Sequence, residues 1–281
     1  MNKILAFGLT CLIAVNVWAA PGSPTLWDRA VYGDKPGLTQ VDFQGYNGAI
    51  TTTAEALWPE SAAYTVLAAA MTSPYCASTS TDDDGAPVGT GALTIRVKGL
   101  KTTFAAFSED LILNGQTSVA LTTTLVLVIN SVEVLTAGTG GVNAGVVACG
   151  TGNNTGGDPA VVHAYVATGA NRSMQSWYGV PAGYTLICKN WTLQSYGVTA
   201  GQTVQFILNR YVNLGILKTE YLGFLSQAGS SAITIPNVIK FAEKTIFKVD
   251  ALSAASTGPA SVRADCLLLS DSWVDTAQDL F

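Results

Sequence analysis

The chain has 281 residues, with 14 Lys and Arg against 19 Asp and Glu, for a net charge of −5. Only 12% of residues are charged and 48% are hydrophobic, which excludes intrinsic disorder over most of the length, because disorder needs low hydrophobicity and high charge. A pI near 4.8 excludes the basic face that a sequence-independent grip on nucleic acid requires, and a single histidine, His163, excludes zinc centres built on several imidazoles.

Lys3 precedes an apolar run over residues 4–17, interrupted by Gly8, Thr10 and Asn16. Val17-Trp18-Ala19 places small residues three and one positions before a cut after Ala19, the pattern of a secretory signal peptide. The alternative for residues 1–19 is a retained hydrophobic arm or anchor, the one case in which a membrane would be a partner. The run is too short and too interrupted for a span of about 20 apolar residues. Residues 20–50, rich in Pro and Gly, read as an extended lead-in. Residues 51–281 read as a β-sandwich domain, with a candidate subdivision at 150–158.

The one early helical pattern lies in 53–71, where Trp58-Pro59 interrupts it. Residues 78–91 form a loop of Ser, Thr, Asp and Gly. Leu93, Ile95 and Val97 then alternate with Thr94, Arg96 and Lys98, the period of two of a half-buried strand. The run 111–113 ends at Asn114-Gly115, a hairpin signal, with Val119 and Leu121 continuing after it. Residues 125–129 are wholly apolar, and 132–135 follow a break at Ser131. Residues 137–145 form a glycine-rich loop, and 151–159 a second loop of Gly and Asn. Strand signals resume at 161–166, 174–178, 184–188, 204–208, 221–225, 233–235, 245–249 and 262–268, with a helical turn or two at 238–243. Short strands at regular spacing predict an all-β fold, a β-sandwich of jelly-roll type with at most short helices.

Cys11 falls in the N-terminal run. Cys76, Cys149, Cys188 and Cys266 are even in number and widely spaced. After export they would form two disulfides, in any of three pairings. In a reducing compartment they would be buried thiols, which suits the apolar runs around Cys149, Cys188 and Cys266.

Candidate chemistry is sparse. The glycines of 138–145 superficially resemble a nucleotide loop, but a strand precedes and a strand follows, so no helix N-terminus meets a phosphate; a β–β connection is expected. Asp82-Asp83-Asp84 offers carboxylates to a hard cation yet lacks the spaced ligands of a calcium loop, and a solvated acidic loop is expected. His163 shares a strand face with Val161 and Tyr165 and reads as structural, since no Gly-x-Ser-x-Gly elbow supplies a nucleophile. Glu109 and Asp110 are adjacent strand residues on opposite faces, so they do not form a glycosidase pair. Trp177 and Tyr178, before Val180-Pro181, are candidate platforms for a sugar ring, against a core-packing alternative. Sequons stand at Asn153, Asn171 and Asn190. No cofactor, metal site or enzymatic constellation is expected.

An ordered set of short motifs runs through the middle of the chain: Gly89-Thr-Gly-Ala-Leu-Thr-Ile-Arg-Val-Lys-Gly-Leu100, Ser108-Glu109, Leu113-Asn-Gly115, Thr122-Thr123, Ile129-Asn130, Leu135-Thr-Ala-Gly138 and Gly141-Val-Asn-Ala-Gly145. It resembles a block of structural proteins of tailed-bacteriophage virions. Glu55-Ala-Leu-Trp58 and Trp177-Tyr-Gly-Val-Pro-Ala-Gly183 are similar to the same family, so the resemblance spans residues 55–190. It implies a β-rich particle component displayed on a head or tail, and it carries over no catalytic residue. Two features depart from it: the N-terminal run, which a cytoplasmically assembled virion protein does not need, and Leu100-Lys101, where an acidic residue would follow Gly-Leu.

The expected function is therefore a virion structural protein, such as a capsid decoration, cement or tail-associated component. Its partners would be copies of itself, as in a trimer, and a major capsid or tail protein, not nucleic acid. Interface contacts are expected at Gly138, Gly140, Gly141, Asn143, Gly145, Asn153 and Asn154 and on the 21–50 arm. The alternative is an exported bacterial β-sandwich that binds carbohydrate or a surface partner through Trp177 and Tyr178.

Overall fold

A computed structural model describes residues 36–272 except 61–62, 199–202, 215, 227–228 and 255–256, together with Trp27 and Ala30. The expected signal or arm at 1–19 and most of the 20–35 lead-in lie outside the described residues. The regular elements of the described residues are strands: β1 (Leu38–Ile50), β2 (Glu55–Ala56), β3 (Tyr75–Ser78), β4 (Ala92–Lys101), β5 (Ala106–Ile112), β6 (Val119–Ala120), β7 (Val126–Ala137), β8 (Val147–Thr155), β9 (Asp158–Val166), β10 (Trp177–Gly179), β11 (Tyr184–Val198), β12 (Thr203–Val212), β13 (Ile216–Ser226), β14 (Gly229–Ile235), β15 (Ile239–Phe241), β16 (Thr245–Ser253) and β17 (Gly258–Ser270). The all-β expectation holds. No helix among the described residues is long and apolar enough to cross a membrane.

The strands form four antiparallel sheets. Sheet I runs β1-β17-β11-β14, with β15 also on β11; sheet II runs β10-β16-β12-β13, with β2 on β16. Sheet III is β5-β4-β7 and sheet IV is β6-β3-β8-β9. Period-two patterning explains the pairing of layers. Val204, Phe206 and Leu208 of β12 and Phe247, Val249 and Ala251 of β16 point one way, onto Trp191, Leu193, Val262 and Ala264 of sheet I. Ile95 and Val97 of β4 likewise meet Val147, Cys149, Ala164 and Val166 across the second core. The molecule is thus two sandwiches, with the second, β3–β9, inserted into the first between β2 and β10. A third apolar cluster joins them: Trp58 and Tyr64 from the outgoing crossing, Leu100, Leu127 and Val128 from sheet III, Phe104 from the turn between β4 and β5, and Ala56, Trp177 and Ile246 from sheet II.

Several expectations are corrected. The second half of the 20–50 lead-in is the 13-residue strand β1, registered on β17 from Leu38↔Leu269 to Ile50↔Gly258. The described residues of 53–71 hold a short strand and irregular chain, and 238–243 holds β15 rather than a helical turn. Asn114-Gly115 does not close a hairpin of β5 and β6. β5 lies in sheet III and β6 pairs with β3 in sheet IV, so the turn carries the chain between layers. The segment 151–159 is no boundary but the β8–β9 hairpin, turning at Gly156 and Gly157 with positive φ. The divisions between sandwiches fall at the crossings instead, near 57–71 and 167–176.

The cysteines pair as Cys76–Cys149 and Cys188–Cys266. Each pair is directly opposite in register, β3 with β8 and β11 with β17, so each sandwich carries one disulfide.

Candidate functional site

The motif block converges on one end of the inserted sandwich, and Asp83 is its centre. That carboxylate is fully buried. Oδ1 accepts the N–H of Ala92 at 2.6 Å and of Ala144 at 2.7 Å. Oδ2 accepts the N–H of Gly145 at 2.9 Å and the Ser78 hydroxyl at 2.5 Å. One anion thereby ties the Gly89–Ala92 motif to the glycine loop, and neither a solvated acidic loop nor a cation site describes Asp83. The described residues contain no group of His, Cys, Asp and Glu that could hold a metal ion.

The glycines of this region are needed for close approach. A Cβ on Gly138 would stand 2.2 Å from the Gly89 carbonyl oxygen, and one on Gly91 would stand 2.0 Å from Asp83 Oδ1. Asn143 is fully buried. Its amide donates to the carbonyls of Gly145 and Ala167, and it exchanges backbone-to-side-chain bonds with Asn171. Asn143 and Gly145 are buried and Gly138 is half-buried, each bonded within the fold, while Gly140, Gly141 and Asn153 are exposed. Asn154 bonds Gln116, Ser118 and Gly157, closing the β8–β9 turn onto the 114–118 turn.

The other polar motif residues behave alike. Glu109 accepts the N–H groups of Thr122 and Thr123 at 2.6 and 2.9 Å. Burial pushes its carboxyl up, but these bonds outweigh burial and hold it below the usual range. Asn130 makes a two-way amide pair with Gly179, at 2.9 and 2.8 Å. Sequence reading missed these roles; the signal was in the motifs themselves, where Ser-Glu precedes Thr-Thr and Ile-Asn precedes Trp-Tyr-Gly.

Trp177 is not a ligand platform. It is 1% exposed, stacks on Tyr64 at 3.7 Å with planes 3° apart, meets Trp58 edge-on at 5.0 Å and donates to the Ile129 carbonyl. It is the rivet of the joint between sandwiches. Tyr178, one residue on, points the other way and is half-buried.

Tyr178 lines a cavity of about 570 Å³ between the two sandwiches. One wall is β1 at Thr39–Asp42; the other is the end of sheet III at Lys98, Phe107 and Glu133. Two ion pairs rim it, Lys98–Glu133 at 3.3 Å and Arg172–Asp42 at 3.1 Å, so its charges balance. His163 lies elsewhere. It sits in a bulge of β9, since Gly150 pairs with Val162 and Cys149 with Ala164. The bulge turns it inward, away from the exposed Val161, and desolvation lowers its pKa to about 4.

No protein-family model matches the chain, and no curated protein matches it by sequence. Among solved structures it is similar to VP2 of infectious bursal disease virus in the subviral particle, at 10% identity and a TM-score of 0.26 over 84% of this chain and 71% of that one. It is similar also to the structure of the Gx strain of that virus, at 13% identity and a TM-score of 0.26 over 83% and 72%. Scores of this size describe a loose likeness between β-rich chains.

Proposed function

We propose that this protein is a structural component of a virion, acting by protein–protein assembly and without enzymatic chemistry. Within that class the reading is a tailed-bacteriophage decoration, cement or tail-associated protein. The observation that supports it most is the fate of the motif block that resembles phage virion proteins. Glu109, Asn130 and Asn143 of that block, and Asp83 packed against it, each use their polar atoms to lock one backbone segment to another, which yields a rigid two-part block.

The outer surface suits assembly. Val88, Ile112, Leu125, Val161 and Val238 expose large apolar side chains, and a chain with few charges forms broad contacts at low desolvation cost. Closed symmetric self-association, as in a trimer, fits such surfaces. Disulfides in both sandwiches fit a particle that persists in an oxidising environment.

The test is sedimentation of material from the native source through a density gradient, with detection by peptide mass. The protein is expected to travel with particles and to release as oligomers. A monomer confined to the particle-free fraction refutes the reading. An arm deletion must stop before Pro36, because residues 38–50 are a core strand.

The cleft gives the exported carbohydrate-binding reading one surviving residue, Tyr178, which lines the same cavity as Phe107. Glycan binding lost in Tyr178→Ala but kept in Trp177→Phe would favour it.

A further inference from the structure

We propose that Lys248 of β16 and Asn209 of β12 condense into an intramolecular isopeptide bond, with Asp250 carrying the proton. The two residues are directly opposite in register on neighbouring antiparallel strands, where facing side chains start about 5 Å apart. Both reach the same carboxylate. Lys248 Nζ lies 3.0 Å from Asp250 Oδ1, and Asn209 Nδ2 donates to Asp250 Oδ2 at 2.7 Å. The Thr219 hydroxyl donates to Asn209 Oδ1 at 2.9 Å. The Tyr64 carbonyl accepts from Lys248 Nζ at 3.0 Å and keeps the amine at the carboxylate.

Each part of an amide exchange is thus present: an amine, an amide whose oxygen is polarised by a hydroxyl, and an acid touching both the incoming and the leaving nitrogen. Little water reaches the pair. The Lys248 and Asp250 side chains are 12% and 5% exposed, beside the Tyr64–Trp177–Ile246 joint. Burial raises the Asp250 carboxyl above its ordinary value, against the opposing pull of Lys248 and Asn209. A buried ion pair is a costly way to hold two strands together, and condensation discharges it.

The step balances. Lys248 ammonium gives a proton to the Asp250 carboxylate. The freed amine lone pair attacks Asn209 Cγ, and Thr219 holds the oxygen of the tetrahedral intermediate. Asp250 passes its proton to Nδ2, the Cγ–Nδ2 bond breaks, and ammonia leaves. The new Nζ–Cγ amide loses its extra proton to Asp250. No oxidant or reductant is required.

The experiment is intact mass of the reduced full chain after storage in its folded state, followed by tryptic mapping. The wild-type chain is expected to be one ammonia lighter than its sequence, to resist trypsin at Lys248, and to yield a branched peptide joining the segments that hold Asn209 and Lys248. Asn209→Ala, Lys248→Arg and Asp250→Ala are expected at full sequence mass. A wild-type chain at full mass, cut normally at Lys248, overturns the proposal whether or not the variants fold. So does an ammonia loss that maps to an imide at Asn114-Gly115. Bond formation undiminished in Asp250→Ala would overturn the role given to that carboxyl.

Discussion

Replacing Asp83 by Asn removes one oxygen from a site that holds four donors and changes the side chain's volume very little. The remaining oxygen can keep the Ala92 and Ala144 N–H groups, now without charge assistance. The new amide then faces the Gly145 N–H, donor against donor, while the Ser78 hydroxyl can turn to accept. One stranded buried N–H costs about 1–3 kcal/mol, and weakening the retained bonds from charged to neutral adds about 1 kcal/mol. The expected loss is about 3 kcal/mol, confined to the inserted sandwich. Urea unfolding followed by far-ultraviolet circular dichroism should shift. Tryptophan fluorescence should shift less, because residues 71–176 contain no Trp. Hydrogen exchange should rise in 79–92 and 137–147 and stay unchanged in β12 and β16. Stability within about 0.5 kcal/mol of wild type, a normal surface-substitution effect, with unaltered exchange, would refute the assignment of Asp83 as the tie.

His163 is neutral when folded, with a pKa near 4 against an ordinary 6.5. The unfolded chain therefore binds a proton first, and stability falls as pH drops from 6.5 towards 4, by about 3 kcal/mol in all; His163→Leu should flatten urea midpoints across that window, and an unchanged slope would count against it. The disulfides close sequence separations of 73 and 78 residues. By the chain-entropy relation, losing either should cost about 4 kcal/mol. Cys76→Ala/Cys149→Ala should expose only β3–β9 to exchange, and Cys188→Ala/Cys266→Ala only the outer sandwich. Gly157→Ala, at φ +92 and with its Cβ 1.8 Å from the Ser78 carbonyl oxygen, should lower the melting temperature more than Gly141→Ala. Gly141 also has positive φ, but its Cβ would meet nothing, leaving about 1–2 kcal/mol of backbone cost; equal shifts would show that the turn relaxes.

Local patterning was readable where one rule acted alone. Alternation marked β4, and the wholly apolar stretch at 125–129 marked the start of β7. The later strands of sheets I and II appeared in order from their apolar runs. What sequence could not show was which strands share a sheet. Asn114-Gly115 is a genuine tight turn, but the strand after it pairs with β3, more than thirty residues upstream, and no local signal encodes that. Gly and Asn at 151–159 looked like a linker because composition cannot distinguish a hairpin tip from a boundary. The same ambiguity hid the functional geometry. Asp83 reads as one of three solvated aspartates until the glycines around it bring three N–H groups within reach. Trp177 and Tyr178 are consecutive strand residues on opposite faces, so one had to face inward; only the stacking of Tyr64 decided which. The Lys248–Asp250 spacing did carry a signal, two opposite charges at i and i+2 in an otherwise apolar strand.

The insertion of one sandwich into the other also sets an order of events during synthesis. β1 is among the first strands to leave the ribosome, yet its registered neighbour is β17, with Leu38 opposite Leu269. The outer sandwich therefore stays open until almost the whole described chain has been made, with the apolar face of β1 waiting for its cover. The inserted sandwich has no such delay, because all its strands lie between Tyr75 and Val166 and its disulfide closes within them. It can stand as a finished body while the rest is translated, and its presence holds the two broken ends of the outer sandwich side by side for the late strands to complete.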